Sequence, residues 1–262
     1  MDFYKYCGAG NDFVLLDARE QALPDDLPAL ARRLCDRRYG VGADGLMILA
    51  APQGQADGRL LFYNDDGSRA EMCGNGARCL CLYCHTHRHC GGAVRIETDA
   101  GIVTGEAVEG GLWRVELNRP SILRPGMQAG GVTCDYLVLG ENGIAHAVVE
   151  ADLSRDRDAL RQMARALRHD PAFPHGANVN LWQRQADGTL RLLTYERGVE
   201  DFTPACGTGN GATAAALTAR GLLSGEGVRI QNDGGVLTVD VRQGRIFLTG
   251  PAQECFRGTL SY

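Results

Sequence analysis

The chain of 262 residues repeats itself, and no other feature limits its possible folds as much. RLLFYN at Arg59–Asn64 returns as RLLTYE at Arg191–Glu196, an offset of 132. CGNG from Cys73 returns as CGTG from Cys206, an offset of 133. RIETDAGIVT from Arg95 returns as RIQNDGGVLT from Arg229, an offset of 134. LPALARRL (Leu27–Leu34) parallels LRQMARAL (Leu160–Leu167), and GAD at Gly42 parallels GAN at Gly176. Short matches in one order at nearly one offset make the chain two copies of a single unit, residues 1–120 and 121–262. Two domains of about 130 residues are each large enough to bury a core.

Each copy predicts the same elements. Leucine, alanine and arginine at three-to-four spacing predict amphipathic helices at Asp25–Arg37 and Arg155–Arg168. Strands follow (LMIL and RLLFYN; VNLWQ and TLRLLTYE), with ADG turns where hairpins need them. A second helix begins after each repeated cysteine, NGARCLCLYCHTH in one copy and the alanine-rich NGATAAALTARGLL in the other. Further strands end each copy, turning at VEGGLW and VRQGRI. The expected fold is α+β: two pseudo-symmetric domains, each a curved, mostly antiparallel sheet or barrel around a central helix. PSILRPGMQAGG, with two prolines and three glycines, reads as the linker. The last strand is expected to be able to pack on the first domain.

Composition narrows function by exclusion. A net charge of −5 without a basic block leaves no electrostatic footprint for nucleic acid. Of 27 cationic residues only Lys5 is a lysine, an awkward Schiff-base residue so near the N-terminus, which argues against pyridoxal-phosphate chemistry. No run of about 18 apolar residues is present to span a bilayer, and MDFYKYCGAGND does not read as a secretory signal. The expectation is a cytoplasmic protein, away from membranes, whose ten cysteines are thiols.

Cys73 and Cys206 carry the chemistry that this pattern suggests. Each precedes Gly-x-Gly at a helix start, where unpaired N–H groups and the dipole favour anions and depress a thiol pKa. One such cysteine is most simply a buried cap. Two at equivalent positions suggest a racemase, one thiolate removing an α-proton and the opposite thiol returning one to the other face. The expected ligand lies between the halves with its carboxylate on two helix N-termini. The other eight cysteines are expected to be inert.

GAGNDFVLLD, RRYGVGADGLMIL, FYNDDGSRAEMCGNGARC, GANVNLW and YERGVEDFTPACGTGNGATAAA together resemble the diaminopimelate epimerase family, nearly from end to end. The resemblance implies a cofactor-free enzyme interconverting LL- and meso-diaminopimelate in lysine and peptidoglycan-precursor synthesis, and a homodimer. It implies that Cys73 and Cys206 are the acid–base pair and that Asn11, Asn64 and Asn178 hold substrate. Gly74 with Asn75, and Gly207 with Thr208, then supply backbone donors to the reacting carboxylate. Glu196 and Arg197 read the distant amino and carboxylate groups, roles that suit a carboxylate and a guanidinium fork. The family's GNPH segment is nearest to GENGIAH here: His146 aligns as a supporting residue, but Ile144 stands where the family has an asparagine. Asn142 could reach in from a shifted loop, or the contact is lost, which leaves the substrate more open than the reaction.

Three alternatives remain at this point. A racemase of another amino acid, such as histidine, keeps the chemistry. A zinc-binding non-enzyme would use CLCLYCHTHRHC, Cys79–Cys90, although Cys81, Cys84 and His85 are expected on one helical face with Cys79 and His87 elsewhere, so no metal site is expected. An isomerase with a carboxylate base is disfavoured because both copies present a thiol. GVGADG satisfies G-x-G-x-x-G but follows a helix and enters a strand, the reverse of a dinucleotide site.

Overall fold

The computed structural model describes every residue except Asn142, Ile144 and Tyr262. The chain forms two compact units, Met1–Glu116 with Thr249–Tyr262, and Leu117–Leu248.

The first unit contains β1 (Asp2–Gly8), β2 (Asn11–Asp17), α1 (Leu27–Cys35), β3 (Gly45–Ala50), β4 (Gly58–Asn64) and β5 (Arg69–Ala70). It continues with α2 (Gly74–His87), β6 (Ala93–Thr98), β7 (Gly101–Val108) and β8 (Leu112–Leu117), which ends at the boundary. The second unit contains β9 (Pro120–Ala129), β10 (Val132–Leu139), β11 (Ala145–Glu150), α3 (Arg157–Arg168), β12 (Asn178–Arg184), β13 (Leu190–Tyr195) and β14 (Phe202–Thr203). After α4 (Gly207–Ala219) come β15 (Val228–Asn232), β16 (Gly235–Arg242) and β17 (Arg245–Pro251), then β18 (Gln253–Thr259), which returns to pair with β1.

Both units use one pairing pattern. In the first, β18–β1–β2 is antiparallel, β2–β3 parallel, β3–β4 antiparallel, β4–β6 parallel and β6–β7–β8 antiparallel. In the second, β9–β10–β11, β11–β12, β12–β13, β13–β15 and β15–β16 run through the same alternation. A parallel step needs a crossover, and α-helices are placed where it is needed: α1 and α3 at the first step of each unit, α2 and α4 at the second.

Strands beside such crossovers are buried on both faces and read as continuous apolar runs. In the first unit Val14, Leu16, Leu46 and Ile48 pack with Leu30, Ala31 and Leu34 of α1. Phe13, Leu15, Met47, Leu49 and Phe62 join the core containing Leu80, Cys81 and Cys84 of α2. The amphipathic helices are shorter than their periodicity predicts, because caps trim them. Asp26 accepts a hydrogen bond from the Ala29 amide at 2.9 Å, and Asp156 accepts from the amides of Asp158 and Ala159 at 3.1 Å each.

The expected linker is a strand. Residues 120–129 form β9, paired with β10, and the ladder shifts register between Cys134 and Tyr136, opposite Pro125 and Gly126. A proline cannot donate to a ladder, so it survives in a strand at an irregularity. Here the Gly126 amide turns to the Asp135 carboxylate at 2.9 Å. Gly40–Asp44 of the GVGADG segment form the loop between α1 and β3 and its last glycine, Gly45, opens β3, as the flanking pattern predicts.

The strand ladders also correct one repeat match. His146 pairs with Asn178 as Phe13 pairs with Gly45. Asn178 therefore takes the place of Gly45, an offset of 133, and not of Asp44 as the GAD and GAN triplets suggest. Alternation of side chains between faces makes that one-residue difference matter.

Candidate active site

Cys73 is the N-cap of α2, with extended backbone at φ −130° and ψ 117°, and its Sγ accepts a hydrogen bond from the Gly76 amide at 3.5 Å. A cap residue leaves the helix path there, so the thiol sits over first-turn N–H groups that have no intrahelical acceptor. Gly74 and Asn75 form that turn. The Asn75 side chain is buried: its Nδ2 donates to Asn11 Oδ1 at 3.0 Å, and its Oδ1 accepts from Arg78 at 2.8 Å. Asn11 in turn donates to Asp44 at 2.6 Å. Asn64 ends β4 and donates to Ser68 Oγ at 2.9 Å.

Behind this chain stand charges that the motifs do not reveal. Arg37 bridges Asp12 and Asp44 at 2.7 Å each, and Lys5 pairs with Asp12 at 2.7 Å while donating to the Gly42 carbonyl. Burial pushes the Asp12 carboxyl up, but hydrogen bonds from Arg37 and Lys5 outweigh it and hold it at about 2. Arg78 is fully buried on neutral acceptors, the carbonyls of Gly74 and Pro251 and the Asn75 amide, and desolvation lowers its pKa.

Cys206 is the N-cap of α4, at φ −108° and ψ 111°, and is buried. Its Sγ lies 3.4 Å from Thr208 Oγ1 and 3.9 Å from Asn178 Nδ2. Asn178 Oδ1 accepts from the Arg197 amide at 2.8 Å, so one asparagine ties the thiol to the Glu196–Arg197 segment. The Arg197 guanidinium donates to the His175 carbonyl at 3.0 Å, and Glu196 accepts from Thr203 at 3.0 Å. Gly207 is buried in the first turn beside Thr208.

His146 is completely buried one strand away, in register with Asn178. Asn180 Nδ2 stands 3.2 Å from His146 Nδ1, and Asn180 Oδ1 accepts from Thr194 Oγ1 at 3.0 Å. Burial, with the positive charge of Arg197 second, lowers the imidazole to about 3, so the ring is neutral. Asn180 and Thr194 escape motif reading. Their signal is two asparagines at alternate positions of an otherwise apolar strand, NVNLW, and a threonine in the apolar run LRLLTY. The role expected of Ile144, and of Asn142 as its substitute, falls outside the described residues.

The cysteine-rich segment belongs to the core. Cys79, Cys81 and Cys84 are fully buried among apolar side chains, and burial raises all three thiols, Cys84 to about 12. His85 is exposed, its ring 5.7 Å from Trp113, and does not join the buried thiols as a common helical face suggests. His87 pairs with Glu254 at 2.7 Å and stacks on Tyr83. Among the described residues no three His, Cys, Asp or Glu side chains stand together as metal ligands, and no helix is long and apolar enough to cross a membrane.

The family model described as diaminopimelate epimerase matches residues 3–122 and 140–254. A diaminopimelate epimerase of Desulforudis audaxviator is 39% identical over 98% of both chains, and one of Archaeoglobus fulgidus 37% identical over 98% of this chain and 95% of its own. Among solved structures, a probable proline racemase from Agrobacterium radiobacter covers 99% of this chain and 92% of its own with a TM-score of 0.75 at 18% identity. A PhzF-family protein of Bacillus anthracis, covering 100% of this chain and 99% of its own, gives 0.73 at 14% identity. These two likenesses concern the fold, the α+β architecture of two pseudo-symmetric domains. The full-length sequence matches do more: the chain belongs to the diaminopimelate epimerase family.

Proposed function

We propose that this isomerase interconverts LL- and meso-diaminopimelate, with Cys73 and Cys206 as its acid–base pair. One thiolate removes the α-proton and the other thiol supplies a proton to the opposite face of the same carbon, so each turnover exchanges which sulfur carries hydrogen. The observation that carries this reading is the duplicated one: a thiol at the N-cap of each unit's long helix. Charge that develops on the carboxylate as the proton leaves is met by first-turn N–H groups at Gly74–Asn75 and Gly207–Thr208. Asn11, Asn64 and Asn178 hold the substrate, Glu196 takes the distal ammonium and Arg197 the distal carboxylate.

The reaction proceeds without pyridoxal phosphate in this reading. The only lysine, Lys5, is buried against Asp12 and the Gly42 carbonyl, which leaves no amine for a Schiff base. The ten cysteines form no disulfide among the described residues, which suits a reducing cytoplasm, and the homodimer rests on the family resemblance alone.

The test is incubation with LL-diaminopimelate in deuterated water under reducing conditions. The expected result is deuterium at the α-carbon together with meso product. Exchange with another amino acid, such as histidine, and none with diaminopimelate would sink the substrate assignment while leaving the chemistry.

A further inference from the structure

The face of the second unit's sheet that lies under α4 carries a polar chain ending in an unused donor. His146, Asn178, Asn180 and Thr194 share that face: Asn178 and Asn180 alternate along β12, His146 is in register with Asn178, and Thr194 with Asn180. Gly209, in the first turn of α4, is pressed against the same group, since a Cβ there would overlap Asn180 Oδ1 and stand 2.8 Å from Thr194 Oγ1. The helix that carries Cys206 thus rests on this chain.

The direction of the chain follows from its acceptors. Asn180 Nδ2 lies 3.5 Å from the Ala147 carbonyl, which can only accept, so the amide nitrogen points that way and toward His146. Its oxygen then takes the Thr194 hydroxyl hydrogen. With an N–H aimed at it, Nδ1 of the neutral ring must be the bare nitrogen, and the proton resides on Nε2. That Nε2 is fully buried and has no hydrogen-bond partner among the described residues. A buried donor without an acceptor is unfavourable and persists where something else brings the acceptor.

We propose that Asn180, braced by Thr194 and the Ala147 carbonyl, is a positioning residue that fixes His146 as a neutral Nε2–H donor for a carboxylate oxygen of the bound substrate. The inference rests on the amino-acid epimerase reading for the acceptor only; the tautomer stands on the geometry of the free enzyme. A carboxylate fits because Arg197 lies near enough to oppose a second positive charge on the ring, and an anion answers both groups. The first unit supplies the contrast. Phe13, Met47 and Phe62 occupy the positions of His146, Asn180 and Thr194, and a Cβ at Gly76 would stand 3.2 Å from Met47 Sδ where one at Gly209 would overlap Asn180. An apolar filling serves that position in one copy, so the polar one has a purpose other than packing.

The test uses the full-length enzyme labelled with 15N-histidine, the His146 signal being assigned by its loss in His146→Phe. Nitrogen–proton correlation spectra of the ligand-free protein should show Nε2 protonated and Nδ1 bare, unchanged from about pH 5.5 to about pH 8.5. A proton on Nδ1, or an imidazolium at neutral pH, overturns the proposal. Asn180→Asp places an acceptor where the amide donor was and should move the proton to Nδ1. KM should then rise about tenfold with kcat within about threefold, since a contact to the distal carboxylate, the one Arg197 takes, is made equally in ground and transition states. Should that buried carboxylate unfold the protein, Thr194→Val should mix the tautomers and raise KM about threefold, with Thr194→Ser restoring both. A moved proton with KM unchanged defeats the role of His146 toward substrate. A wild-type enzyme with the Nε2–H signature that exchanges no α-proton defeats the functional reading and the carboxylate with it, while the tautomer assignment stands.

Discussion

The two units fill the same place differently. Beneath α2, Phe13 and Phe62 meet edge to face with ring centroids 5.8 Å apart and Met47 lies under Gly76, an apolar core. Beneath α4 the equivalent positions hold His146, Thr194 and Asn180 in a hydrogen-bonded chain. At the helix itself the asymmetry reverses. Arg78 is a buried cation one turn inside α2, whereas its counterpart Gly211 is packed against apolar side chains, a Cβ there standing 2.6 Å from Leu117 Cδ1, which would have to shift. Each unit keeps the capping thiol and places its other buried polar groups differently: the first has Arg78 and Asn75 on the helix with Asn11 at the start of β2, the second has His146, Asn180 and Thr194 in the sheet with Asn210 on the helix. A duplicated unit holds constant what the shared chemistry needs, and the differences mark what each copy does on its own.

The thiols are the common element, so removing either should have the largest effect. Cys73→Ala and Cys206→Ala should each lower epimerisation by about three orders of magnitude or more, because a two-base reaction has no substitute for a missing proton donor or acceptor. Comparable turnover in one of the two would make that cysteine a cap and the reaction a one-base one. Next comes exchange of one unit's filling into the other. His146→Phe copies the residue of the first unit into the second, and kcat/KM should fall about a hundredfold, mostly through KM, with a cooperative thermal transition retained. Retained activity would reduce the polar chain to an alternative way of filling a core.

Arg78→Met tests the opposite side. Among the described residues the guanidinium bonds three neutral acceptors and pairs with no carboxylate, so an apolar side chain of similar length removes an unfavourable buried charge and three hydrogen bonds together. The two changes oppose each other, and the melting temperature should move by only a few degrees. Activity should not escape so lightly. Asn75 loses the donor that fixes its amide oxygen, its grip on Asn11 loosens, and kcat/KM should fall about tenfold. A large loss of stability with unchanged kcat/KM per folded molecule would make Arg78 purely structural.

Much of this was legible in the chain because it was written twice. The cysteine caps, the helix order and the two-unit plan follow from matches that recur at one offset, and the parallel steps explain why LMIL and FVLL are unbroken apolar runs. What escaped was register and what lies outside motifs. GAD and GAN align by letters, yet the ladders shift them by one, because hydrogen bonds count strand positions and a loop can absorb a residue. β9 was hidden by prolines that act as breakers in a central strand but not at an irregular ladder. Asn180, Thr194 and Arg78 lie in stretches that read as core, and only their buried partners reveal them as polar networks.

The smallest effect separates charge from polarity in the comparison. The ion-pair cluster Lys5–Asp12–Arg37–Asp44 has no counterpart in the second unit, where the positions of Asp12 and Asp44 hold Ala145 and Ala177. Because the Asp12 carboxyl is held below its ordinary value, its pairing stabilises the fold above about pH 4 and is lost as pH falls toward 2. Arg37 is more than half exposed, so solvent screening limits its share to about 1 kcal/mol or less. Arg37→Ala should therefore lower the stability measured by urea denaturation by about that much at neutral pH. The gap between variant and wild type should close as the pH falls from about 4 to about 2, since protonated Asp12 no longer distinguishes them. Lys5 remains to hold Asp12 in the variant, which is why the loss stays small. A gap that persists undiminished in acid would mean that Arg37 acts through packing of its stem and not through its charge.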